Sequence, residues 1–145
     1  MLEISDYVLA VLSAGEGKNF SPVQLQKLFF ILDQEIPDLV DGPHFDFKPY
    51  DYGPFDSSVY STLNELISSG NLVRSGESAH PRRTYNTTNE GFTAGKALFD
   101  SHFNSEARTY IKQIVDFVLG CNFSELVSAV YKQYPGMKVN SVFNG

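Results

Sequence analysis

The residues best suited to chemistry in this 145-residue chain lie in one stretch, FKPYDYGPFDSSVYSTL, at positions 47–63. Asp51 and Asp56, with Asp46 just ahead of them, could act as paired carboxylates, and Tyr50, Tyr52 and Tyr60 as their phenolic partners in acid and base catalysis. The spacing argues otherwise. The three acids recur every five residues, which puts them on neither one strand face nor one helix face. Asp56 also has a local role as the N-cap of a helix that begins at Ser57. The tyrosines are expected to pack at a rim, rings buried and hydroxyls wet. No catalytic residue is assigned.

Other reactive residue types are scattered. His44, His80, His102 and Cys121 form no HExxH, CxxC or closely spaced His pair, so no metal site is expected. His80, between Ala79 and Pro81, reads as a solvated loop residue, and His44 lies in a loop-like stretch too. Cys121 reads as a small buried hydrophobe rather than a nucleophile, and a single cysteine excludes an internal disulfide. Neither a GxSxG elbow nor a phosphate-binding glycine loop occurs, and no cofactor is expected. What remains is an aromatic cluster beside a tight turn, Tyr50, Asp51, Tyr52, Phe55 and Tyr60. Such a cluster offers the rigid contact area typical of a protein-binding hot spot.

The elements that must carry these residues are legible from caps and periodicity. A first helix is expected over residues 5–14, ended by Gly15 and Gly17. Ser21 caps a second, with Pro22 at its first position, Gln24 completing a capping box and Leu25, Leu28, Phe29 and Leu32 on one face. Phe45 and Phe47 alternate with Asp46 and Lys48 as in a half-buried strand, which Gly53-Pro54 would end. Phe55 and Tyr60 are placed as a hydrophobic staple around the Asp56 cap, ahead of an apolar stripe of Val59, Leu63, Leu66 and Ile67, and Gly70 closes that helix. Two short strands, 72–74 and 83–86, flank a loop rich in Gly, Ser and Pro. Thr88 caps a helix with a Gly91/Gly95 seam. Ser105 opens another, with Tyr110, Ile111, Ile114, Phe117 and Val118 on one side. A capping box of Asn122 and Glu125 starts the last, with Leu126, Val127, Val130, Tyr131 and Tyr134 as its apolar face before Pro135.

This order predicts a mainly α (α+β) chain of one domain, 1–145: a winged helix-turn-helix-like core over 5–91 with a β-hairpin wing, and a helical extension over 92–145. Two functional readings stand. In one the chain is a non-enzymatic protein-binding module. In the other it is a DNA-binding regulator, acting as a homodimer through its C-terminal helices, with Ser57, Ser58, Ser61 and Thr62 facing the groove and Arg74, Arg82 and Arg83 reaching phosphates. The net charge of −6 disfavours loose, sequence-independent binding to nucleic acid. The charge is also uneven: residues 1–56 hold three Lys/Arg against ten Asp/Glu, and the remainder holds eight against seven. No apolar run approaches the roughly 18 residues of a membrane span, so a cytoplasmic protein with no membrane partner is expected.

Three separated elements, Leu25-Gln26-Lys27-Leu28-Phe29-Phe30, Tyr52-Gly53-Pro54 and Val59-Tyr60, resemble the Panacea (SocA-like) antitoxin domain and bacterial proteins of the YwgA type. The likeness covers roughly residues 5–75. It implies neutralisation of a partner toxin, by direct binding or by delivery to a protease, and brings no catalytic residues. Residues 85–91, YNTTNEG, also resemble the Tyr-x-Leu-Thr-x-x-Gly ending of bacterial winged-helix regulators.

Overall fold

Two helices form the centre of the molecule because their sequences leave no polar face. In a computed structural model that describes residues 2–76 and 83–143, α1 (Ile4–Ser13) is buried continuously from Tyr7 to Ser13. α2 (Pro22–Glu35) is buried from Leu25 to Asp33. The predicted capping box is present: Gln24 N–H donates to Ser21 Oγ, and Ser21 N–H donates to the Gln24 side chain. A short helix, α3 (Pro37–Val40), follows, which is not among the elements that the sequence predicts.

The segment from α3 to the first hairpin is held by Asp33. Its two carboxylate oxygens accept the backbone N–H groups of His44 and Phe45 at 2.9 and 3.0 Å. That seats Phe45 edge-on against Phe29, and Phe47 against Phe30. His44 is packed rather than solvated, its ring stacked on Tyr7 at 3.9 Å.

The first hairpin departs from expectation. Gly53-Pro54 does not end a strand; with Phe55 it is strand β2 (Gly53–Phe55), antiparallel to β1 (Lys48–Tyr50), and the turn falls at Asp51-Tyr52. Pro49 pairs with Pro54, so the two residues that lack an N–H lie opposite each other. Gly53 takes a φ of +105°, which a side chain would strain.

α4 (Ser57–Ser68) starts on the predicted Asp56 cap, and β3 (Leu72–Ser75) pairs antiparallel with β4 (Thr84–Thr87). Phe20, just ahead of α2, bridges to Tyr85 through two backbone hydrogen bonds of 2.9 Å. α5 (Asn89–His102) then lies against α1 and against Asn71, just ahead of β3. A Cβ at Gly95 would stand 2.7 Å from Leu9 O, and one at Gly91 only 1.8 Å from Asn71 O, so the Gly91/Gly95 seam is a backbone contact.

α6 (Ser105–Gly120) and α7 (Phe123–Gln133) close the opposite side, followed by a 3₁₀ turn, Pro135–Lys138. The α6 face is rotated from the predicted one. Ala107, Ile111, Val115 and Val118 are buried, while Tyr110 and Phe117 are exposed. The sequence carries two neighbouring apolar stripes, and the core takes the one with the smaller side chains. Among the described residues the fold is therefore mainly helical with two small antiparallel sheets, and one hydrophobic cluster takes residues from α1, α2, α4, α6 and α7.

Candidate functional site

The first hairpin can form few cross-strand bonds of its own, and its backbone is held from outside. Lys27 on α2 donates from Nζ to Pro54 O at 3.2 Å. The neighbouring Gln26 pairs with Asp56 like a peptide, accepting its N–H at 2.9 Å and donating to its carbonyl at 3.1 Å. From the other side Asn140 donates to Pro49 O, while Val142 N–H and the Ser141 hydroxyl donate to Asp51 O. A proline-bearing hairpin becomes a fixed platform by this means.

The structure brings the predicted protein-binding residues together, but divides their aromatics between two walls. Tyr50 meets Phe55 edge-on at 5.3 Å, and Phe55 meets Tyr60 at 5.7 Å, which is the predicted staple. Tyr52 turns the other way, to Phe123 at 5.2 Å, and Phe123 leads on to Phe143. At the tip Tyr50 is 52% and Tyr52 43% exposed. Asp51, between them, is also exposed. Beneath the tip lies a pocket of about 420 Å³ whose lining includes Tyr50, Tyr52, Phe55 and Tyr60 above Gln26 and Lys27.

Lys27 is the residue that periodicity alone did not single out. It is 3% exposed, and burial alone pushes its amine down from 10.5 to about 8. No charged neighbour among the described residues offsets that cost. The signal was present in the sequence: Leu25, Leu28, Phe29, Phe30, Ile31 and Leu32 surround the helix with apolar side chains, so a polar pair at 26 and 27 had to be buried as well.

Two of the three candidate carboxylates have structural partners. Asp56 accepts Ser58 N–H and the Ser58 hydroxyl on one oxygen and Asp46 N–H on the other. Burial pushes its carboxyl up, but these bonds outweigh burial and hold it below the usual range. Asp46 forms an exposed ion pair with Lys48. The Cys121 thiol is pushed up by burial and by the Glu125 charge, the reverse of activation. Among the described residues no group of three or more His, Cys, Asp and Glu is placed to hold a metal.

Of the predicted nucleic-acid residues, Thr62 alone is buried among those the structure describes. Ser57, Ser58 and Ser61 are exposed on α4, but Thr62 is buried at 4% exposure and its hydroxyl donates to Ser58 O, which removes it from any groove-facing set. Its position falls on the Val59–Leu63–Leu66 side of the helix. Arg74 is exposed and donates to Asn64 of α4. Arg83 is half-buried, with Nε lacking a hydrogen-bond partner among the described residues; His80 and Arg82 lie outside them.

No helix among the described residues is long and apolar enough to cross a membrane. Compared with known proteins, the chain matches no family model and no curated protein.

Proposed function

We propose that this chain is a non-enzymatic protein-binding module, acting in the cytoplasm, whose docking face is the β1–β2 tip with Tyr50, Asp51 and Tyr52, flanked by Phe55 and Tyr60. The observation that carries the reading is two exposed tyrosines on a hairpin whose backbone is fixed from below by Gln26 and Lys27 and from behind by residues 140–142. Rigid aromatic side chains lose little entropy on binding and dominate interface energetics. The three elements that resemble the Panacea domain support it further, since they meet here: Lys27 grips Pro54, Gln26 the following Asp56, and Tyr60 closes the wall. The partner we infer from that likeness is a toxin.

The test is binding to the product of the adjacent reading frame, measured by calorimetry. Tyr50→Ala with Tyr52→Ala should weaken binding at least tenfold while leaving the melting temperature nearly unchanged. Unaltered affinity would overturn this docking face.

A second reading is favoured by the Phe20–Tyr85 bridge. It joins the residue before α2 to the β3–β4 hairpin, as the first strand of a winged helix joins its wing. In that reading α1, α2 and α4 form the three-helix core, and the chain binds an operator through Ser57, Ser58 and Ser61 with Arg74, Arg82 and Arg83, as a homodimer joined through Tyr110 and Phe117. Salt-sensitive gel shifts of the gene's own upstream DNA, lost in an Arg82/Arg83 double variant, would support it.

A further inference from the structure

We propose that the pocket beneath the β1–β2 tip receives the C-terminal carboxylate of a partner chain ending in a hydrophobic residue, with Lys27 as its counter-ion. The inference rests on the protein-binding reading above and gives that reading a ligand chemistry.

Three observations converge on it. The walls are aromatic, from Tyr50, Tyr52, Phe55 and Tyr60, and the volume of about 420 Å³ admits a side chain with its carboxylate. On the pocket lining, Lys27 makes one hydrogen bond, to Pro54 O, whereas an ammonium has three N–H donors. Its charge has no acidic partner among the described residues: burial lowers its amine, and the Asp56 oxygens are engaged by Ser58 and Asp46. A buried, uncompensated cation in an apolar pocket is complementary to one anion on an apolar stem. Asp51 also lines the site, and its charge disfavours an occupant that is acidic throughout. A C-terminal hydrophobic residue presents a single carboxylate and an apolar side chain side by side.

The test uses N-acetyl-Ala-Ala-Phe as free acid and as C-terminal amide, titrated into the full ¹⁵N-labelled chain while the amides of Asp51, Tyr52 and Gly53 are followed. The free acid should bind at least tenfold more tightly than the amide, and Lys27→Met should erase the difference. The acid and amide comparison on the native chain does not depend on how the variant folds. Equal affinity for the two peptides, shifts with neither, or an acid preference that survives Lys27→Met would overturn the proposal. An amidated peptide with an internal Glu that binds as tightly as the free acid would overturn the C-terminal assignment. If partner binding needs Tyr50 and Tyr52 but ignores Lys27, the docking face stands and this inference fails.

Discussion

Two hairpins follow two helices in this molecule, and they are held by opposite means. The β3–β4 hairpin pairs over four residues on each strand, extends its bonding to Phe20, and sinks Tyr85 to 3% exposure in the core. Backbone pairing and apolar burial suffice for it. The β1–β2 hairpin pairs over three residues, sets Pro49 against Pro54, and depends on Lys27, Gln26, Asn140, Ser141 and Val142 for its backbone partners. Burying an unneutralised ammonium is an expensive way to satisfy one carbonyl. Where a fold adopts the costlier of two available solutions, function is the first place to look for the reason.

The comparison predicts that the second hairpin fails through packing. Gly91→Ala drives a Cβ into Asn71 O, which precedes β3 and accepts the Thr88 N–H, so backbone must move. The expected loss is about 4 kcal/mol or more, read from a denaturant titration.

The first hairpin should instead reveal itself through pH. The Lys27 amine is lowered in the folded chain, so its protonated form is disfavoured there. The penalty is present in full below pH 8 and is relieved as pH rises from about 8 to the unfolded value near 10.5. This one group should therefore make stability rise across that window, by roughly 3 kcal/mol in total. Lys27→Met should remove the rise, as seen in the difference between the two pH–stability curves.

Smaller effects sharpen the contrast. Asp56→Ala removes the α4 cap and the bond from Asp46 N–H, at about 1–2 kcal/mol. Because that carboxyl is held below its usual range, its stabilisation is present above the unfolded pKa and lost as pH falls through the folded one. Smallest of all, Tyr50→Ala with Tyr52→Ala should cost under about 1 kcal/mol in a thermal melt, since both side chains are largely outside the core.

What was legible in the sequence was local. Ser21 with Gln24, Asp56, Thr88 and Asn122 with Glu125 each signal a helix start through residues three or fewer positions away, and each forms the expected bond. The turn at Asp51-Tyr52 was not legible, because Gly-Pro read locally is a stop signal and only distant donors, Lys27 and Asn140, make it a strand. The aromatic cluster was found by composition, yet its division between Phe55 and Phe123 depends on α7, which lies far along the chain. The α6 core face was legible only in part, at Ile111 and Val118, because two apolar stripes adjoin and periodicity does not choose between them.

The ammonium of Lys27 is buried beneath the first hairpin with no acidic partner among the described residues. The most direct test is the titration of Lys27 itself, followed through its ¹³Cε resonance in the free protein. A midpoint near 8 is the predicted result; a midpoint near 10.5 would mean a solvated or paired amine and would contradict it.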